Sequence, residues 1–341
     1  MSAALEHVSV RALAPLDRAS ALWLRAFGRW MSRLLRVRSE RVALQAGILA
    51  STSLALALYA PLWLLTLGPL VLGVPHLVSD VRYLVVRQGL VQRRLWCAVV
   101  APCLIGASLA PGRGWGIAAV ACSALLARGA YLRRMLAAVS CFVVWRWAQA
   151  SGPKADVIFA HAHNLVAIGC WAAWARGTRL QLAPALAVCC LGSWLVLSGV
   201  TDDLIFRHFA LSAGRFAIDA GSLVVGLAPT DDPLWAWRWT ICFAFMQSVH
   251  YGVWLRSLPD EDRARPGLRT LQSSYRALAR DVGPWLVAAA VLMVPALWGV
   301  ASWDVIAARS GYLRLALFHG PLELAVLALL WVEGRAPLRA G

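Results

Sequence analysis

Five of the seven histidines in this 341-residue chain, His76, His161, His163, His250 and His319, lie inside long apolar runs. A bilayer-spanning helix needs no imidazole for its own stability, so such residues point to function. Imidazole is the common ligand for iron, copper and zinc, and neutral imidazoles around one ion leave coordination positions open for oxygen or substrate. Two carboxylates accompany them. Asp80 follows His76 by one helical turn in Gly73-Val74-Pro75-His76-Leu77-Val78-Ser79-Asp80, and Glu323 follows His319 by the same interval in Phe318-His319-Gly320-Pro321-Leu322-Glu323. A carboxylate at the bilayer centre costs about 2.5 to 3.5 kcal/mol on insertion scales, so each must face a partner, a cavity or water. In a purely structural role they would pair with Arg128, Arg146 or Arg238, which also fall within apolar runs.

His161 and His163, in Ala160-His161-Ala162-His163-Asn164, are two residues apart. On a regular helix they diverge by about 200° and cannot both face one point, so one is a ligand candidate and the other an orienter or bystander. Asn164 shares a face with His161 and is placed to hold a ring by a hydrogen bond. His250 lies late in its run, one turn after Gln247, and His7 and His208 fall outside the apolar runs and read as surface residues. The eight cysteines all sit in apolar runs without Cys-x-x-Cys spacing, so thiolate metal sites are set aside; Cys189 and Cys190 are adjacent but read as small core residues.

The elements that must position these groups are helices in lipid. With 60% hydrophobic residues and a mean hydropathy of +0.65, the chain reads as an all-α, polytopic integral-membrane helical bundle of about ten transmembrane helices. The expected spans are 42–60, 62–86, 94–111, 114–132, 133–150, 155–175, 180–199, 234–255, 283–303 and 312–332. Residues 42–341 form one domain, preceded at 1–41 by a cytoplasmic, amphipathic, interfacial segment. In its helix, over 18–38, Leu24, Phe27, Met31 and Leu34 oppose Arg25, Arg29, Arg33 and Arg36. No cleavable signal peptide precedes the first span. Residues 200–233 read as a long outer segment whose middle, 216–227, is interfacial or re-entrant, and which becomes an extra span if Asp219 is paired. Residues 257–282 read as a cytoplasmic loop with a short amphipathic helix carrying Leu268, Leu271, Tyr275 and Leu278. Pro69 and Pro75 are expected to kink the second span near His76 and open its backbone to a cavity.

The net charge of +16 excludes little by itself, because the basic residues punctuate the spans instead of forming one compact module. Every second loop is basic, which by the positive-inside rule puts both termini in the cytoplasm of a bacterial-type inner membrane and argues against nucleic acid as a partner. The four histidine-bearing spans then share one orientation, so their imidazoles can meet at one depth. The 18 tryptophans are mostly near span ends, with Trp145, Trp194 and Trp254 expected deeper.

The Gly-x-Pro-His-x-x-x-Asp run at 73–80 resembles the histidine motif of the Brp/Blh family, integral-membrane β-carotene 15,15'-dioxygenases. His250 in an aromatic helix, followed by His319 late in the chain, is similar to that family's general pattern. The similarity covers short stretches only. It implies a helical bundle with buried histidines holding one non-haem Fe(II), an apolar polyene entering from the bilayer, and molecular oxygen as co-substrate. By position, His76 matches the first iron ligand, Asp80 its acidic neighbour and His250 a later ligand. The chain departs from the family at Leu77 and Val78, and at Trp254 where a second histidine usually stands, so the remaining ligands fall to His319 and to His161 or His163.

The expected function is therefore an Fe(II)-dependent oxygenase acting on an apolar, lipid-like substrate, with Asp80 and Glu323 as its acidic groups and membrane lipids as its surroundings. Two other classes stand beside it. One is a proton- or ion-coupled transporter or lipid-binding protein, in which the histidines and carboxylates form a relay. The other is a haem-carrying redox protein, in which two histidines on facing helices provide axial ligands.

Overall fold

Long apolar runs punctuated by prolines and glycines fold here into helices throughout. The computed structural model describes residues 2–26, 28, 36–110, 112–175, 179–213, 224, 226–263 and 270–338, and among these there is no strand. The helices are α1 (Ser2–Ala26), α2 (Arg38–Tyr59), α3 (Pro61–Asp80), α4 (Arg94–Leu109), α5 (Arg113–Leu125), α6 (Tyr131–Ser151), α7 (Pro153–Trp174), α8 (Ala183–Leu197), α9 (Asp202–Ala213), α10 (Pro233–Gly252), α11 (Leu258–Asp262), α12 (Leu271–Val282), α13 (Pro284–Trp303), α14 (Val305–Ala316) and α15 (His319–Glu333).

Among the described residues six helical stretches are long and apolar enough to cross a membrane: Arg38–Tyr59, Pro61–Val86, Pro153–Trp174, Leu180–Leu197, Pro284–Trp303 and Val305–Glu333. By length and composition the chain is a membrane protein. The expectation of about ten spans is met for these six only. The apolar helix α4 is shorter than they are, α5 has 13 residues, and α6 and α10 carry Arg133, Arg134, Arg146 and Arg238 within them. The outward surface remains apolar: Trp285, Val291, Leu292 and Trp303 of α13 are exposed, as expected of a helix whose surroundings are acyl chains.

Prolines and π turns shape the elements near the histidines. Pro69 has no N–H, so the carbonyl of Leu65 loses its intrahelical donor, and Arg309 Nε of α14 donates to it at 2.7 Å. A π turn over Val81–Val86 follows Asp80 immediately, and a second one over Val253–Ser257 follows the α10 residues His250–Gly252. Such turns recur at functional sites. In the second, the carbonyl of Trp254 would next accept from residue 259, but Pro259 offers no donor. Ser79 Oγ donates to that carbonyl instead, at 2.7 Å, and so ties the end of α3 to α10.

Several sequence readings change. Residues 257–262 are not loop: α11 continues from the second π turn, and Asp260, Glu261 and Asp262 are buried. The amphipathic helix expected after it forms as α12, which Thr270 caps by accepting from the Ser273 amide, while Leu268 lies outside the described residues. Asp17 of α1 also caps α12, accepting from the amides of Leu271 and Gln272. The 18–38 helix differs in extent, since residues 18–26 belong to a helix that begins at Ser2. Residues 27 and 29–35 lie outside the described residues, as do the side chains of Leu24 and Arg25, so the expected basic face is not described. Of the outer segment, α9 covers Asp202–Ala213 and Asp232 caps α10 by accepting from the Trp235 amide, whereas Asp219 and most of 214–225 lie outside the described residues.

Candidate metal centre

The span expected at 312–332 belongs to a longer helical stretch that is broken at Leu317–Phe318, and the break puts His319 at the first residue of α15. Its Nδ1–H donates to the carbonyl of Ala316, which fixes the tautomer and leaves the Nε2 lone pair pointing into the bundle. There Nε2 of His319 lies 2.8 Å from Nε2 of His163, from α7. On the other side of the cluster Nε2 of His76, from α3, lies 2.8 Å from Nε2 of His250, from α10. The rings of His163 and His250 are 4.3 Å apart by their centroids, and those of His76 and His319 are 4.9 Å apart, so four helices deliver four imidazoles to one place.

Both carboxylates enter the same place. Asp80 Oδ2 is 3.5 Å from His76 Nε2. Glu323 faces two histidines with different oxygens: Oε1 is 3.6 Å from His250 Nε2 and Oε2 is 3.3 Å from His163 Nδ1. His76, Asp80 and Glu323 have no exposed surface, His250 has almost none, and His163 and His319 are half-buried, so the centre opens only on the α7–α15 side. Of the arginines that a structural role would have used, Arg238 goes elsewhere, forming a two-pronged pair with Asp202.

Small residues make this approach geometrically available. A Cβ on Gly320 would stand 3.1 Å from His163 Nδ1, closer than nearly all real contacts, so the glycine lets that ring rest against the first turn of α15. A Cβ on Gly73 would stand 2.2 Å from the Tyr312 ring, which therefore packs directly on α3 one turn before His76. Tyr251 and Trp254 complete the wall, edge-on to His76 at 5.2 and 6.3 Å between ring centroids. Trp254 is fully buried, as expected from sequence, whereas Trp194 is exposed and Trp145 half-buried.

His161 is not in this group. Its Nε2 donates to the carbonyl of Leu227 at 2.9 Å, and its ring sits edge-on to Trp239 and Phe243. The 200° divergence holds on the regular helix α7 and assigns His163 to the centre and His161 to the opposite side. Asn164 is buried with Nδ2 lacking a partner, so the hydrogen bond foreseen for it is not formed. His208 packs against Tyr59, and the His7 side chain lies outside the described residues. All eight cysteines are free.

Three overlapping triads bring their ligand atoms within 4.8 Å of one another: His76, His250 and His319; His163, His250 and Glu323; and His76, Asp80 and Glu323. Each could hold a metal ion. The fit is more than spatial. Nδ1 of His76, His163 and His250, and both oxygens of Asp80 and of Glu323, are buried without a hydrogen-bond partner. Buried polar groups left unpaired are rare and call for an explanation, and for the four carboxylate oxygens an ion that accepts lone pairs is a direct one. The nitrogen and oxygen donor set suits iron, manganese or zinc.

Sequence reading had found all six of these groups, but it missed a second polar cluster at the α11 end. Arg41 of α2 grips Asp260 through Nε and Nη2 at 3.0 and 3.2 Å, and Arg263 pairs with the same carboxylate. Gln181 donates to Glu261, Arg87 reaches Asp262 at 3.5 Å, and Arg82 and Arg87 share Asp281 at 2.7 and 3.0 Å. The signal available was the run Asp260-Glu261-Asp262, but a charged run after a span reads as a solvated loop.

No family model matches the chain, and no curated protein or solved structure matches it either.

Proposed function

We propose that the protein is a membrane-embedded, Fe(II)-dependent, non-haem oxygenase acting on an apolar substrate dissolved in the bilayer, with carotenoid cleavage to retinal as the specific reaction suggested by the Brp/Blh resemblance. One observation carries this reading: four imidazoles and two carboxylates from four helices converge, the imidazoles facing in pairs through Nε2 at 2.8 Å and both carboxylates buried with no hydrogen-bond partner for any oxygen. His76, His250, His319 and His163 would hold the iron. A bound Fe(II) supplies the electrons that activate molecular oxygen, which none of these side chains can do. Asp80 and Glu323 offset its charge in a medium where an uncompensated ion is costly, and they orient the imidazoles they face. Tyr251, Trp254 and Tyr312 exclude water from the closed side.

Support for an apolar substrate comes from a cavity of about 450 Å³ between α4, α13 and α14, lined by Leu109, Leu297, Val300, Ala308, Tyr312 and Leu315 among others. Tyr312 lines this cavity and packs on Gly73 of α3, one turn before His76. The four remaining apolar segments, around α4, α5, α6 and α10, complete ten crossings in this reading, with both termini cytoplasmic in a bacterial-type inner membrane. The basic residues face headgroups and not nucleic acid.

A haem is disfavoured by the 2.8 Å between facing Nε2 atoms, since two axial ligands at about 2 Å from one iron stand about 4 Å apart with the macrocycle between them. A proton relay is favoured by one feature, the broken helix at 317–318 beside the buried carboxylate Glu323. The test is elemental analysis and a visible spectrum of protein purified in detergent, followed by incubation with β-carotene and oxygen. Iron at one or more per chain, no Soret band and a retinal product are expected. Protein without any metal after anaerobic Fe(II) loading overturns the reading in favour of the relay.

A further inference from the structure

The centre contains more donors than one ion with open positions can use. Three or four protein ligands suffice for such an ion, whereas six side chains are gathered here. All lie close together, His319 within 4.8 Å of His76 and His250, and two imidazole contacts are shorter than the rest. Two ligands about 2.1 Å from one ion, at angles of 90° to 110°, stand about 3.0 to 3.4 Å apart. Both imidazole pairs are near that separation, His76 with His250 and His163 with His319, each at 2.8 Å between Nε2 atoms. Each pair is thus spaced as one edge of its own coordination shell.

Glu323 lies between them. Its Oε1 is 3.6 Å from His250 Nε2 of the first pair and its Oε2 is 3.3 Å from His163 Nδ1, on a ring of the second pair, so the carboxylate turns one oxygen toward each pair. Asp80 adds a terminal ligand on the first side only, 3.5 Å from His76 Nε2. We propose that the centre binds two divalent metal ions, one held by His76, His250 and Asp80 and the other by His163 and His319, with Glu323 bridging them. The inference rests on the metal-binding reading above and deepens it.

Two consequences follow from the burial and charge. The first ion is enclosed, while the second sits beside the half-buried His163 and His319 and exchanges more readily. Two divalent ions carry four positive charges against two carboxylates, and a hydroxide derived from water between or beside them would lower the remaining excess from two charges to one. Such a ligand is available because metal-bound water loses its proton near neutral pH. Carboxylate-bridged ions lie about 3.5 to 4 Å apart and interact magnetically.

The experiment uses the full chain in detergent, stripped with chelator and titrated anaerobically with Co(II), with metal per chain from elemental analysis and coupling from electron paramagnetic resonance. Two Co(II) per chain are expected, with a signal that weakens as the second ion enters. His163→Ala and His319→Ala are each expected to retain one ion with an uncoupled Co(II) signal, and Glu323→Gln to lose the coupling. One Co(II) per chain at saturation overturns the second ion while leaving a metal protein in place. No Co(II) at all overturns both readings. The metal count and the coupling are both read on the unaltered protein, independently of how any variant folds.

Discussion

The two buried polar clusters of this protein are built from the same kinds of groups and are balanced in opposite ways. At the α11 end, Asp260 is shared by Arg41 and Arg263, Glu261 accepts from Gln181, and Asp281 is shared by Arg82 and Arg87. Every one of these carboxylates is answered by a donor of the chain. At the histidine centre Asp80 and Glu323 are equally buried, yet neither oxygen of either one accepts a hydrogen bond, and three imidazole nitrogens are also unanswered. A cluster satisfied from within holds helices together, and one that is left open requires something from outside. The difference separates a structural network from a binding site without recourse to residue type, since acids and bases occur in both.

Mutations should break the two clusters differently. The largest effect is expected from Asp260→Ala, which removes the carboxylate that two buried guanidiniums share; a loss of about 3 to 5 kcal/mol is expected in detergent unfolding, with metal per folded chain unchanged. His76→Ala should act the other way round. Metal affinity falls by about 100-fold or more, beyond the loss that removing an orienting partner produces, while the unfolding of the metal-free protein is little altered; full occupancy in that variant would remove His76 from the centre. A sharper comparison is Asp80→Ala in chelator-treated protein. Taking away an unanswered buried acid should leave stability equal or raise it by about 1 kcal/mol, and a loss of more than that would show Asp80 to be a structural partner like Asp260. The smallest effect is expected from His161→Ala, which should keep metal content within the roughly 10-fold margin of an indirect change, because its ring bonds to Leu227 and not to the cluster.

Much of the centre was legible before any coordinates. The rarity of ionisable groups in apolar runs singled out His76, Asp80, His161, His163, His250, His319 and Glu323, of which His161 lies outside the centre, because lipid makes each of them costly unless it is used. The α11 network was not legible, because Asp260-Glu261-Asp262 follows a span and its partners Arg41, Gln181 and Arg87 are distant in sequence. Whether a charged run is solvated or buried depends on what packs over it. The break at Leu317–Phe318 left one trace, Pro321, which has no N–H to give the Leu317 carbonyl, but Pro69 and Pro75 stand inside the continuous helix α3, so a proline alone does not locate a break. Span counting was limited by arginines within α6 and α10, which lower hydropathy wherever the side chain is directed.

Sequence by itself determined the helical class, the apolar character of the long helices and five of the six polar groups, leaving the sixth to His161 or His163, since these follow from composition, periodicity and the cost of charge in hydrocarbon. It also determined that His161 and His163 cannot face the same way, which is a property of helical pitch alone. Only the tertiary structure decided that His163 is the one turned inward, that Glu323 addresses two histidines with separate oxygens, and that Asp80 meets imidazole and not arginine. Those outcomes depend on how four helices rotate and slide against one another, and such offsets are set by close packing at Gly73, Gly320 and Ser79, not by any local pattern.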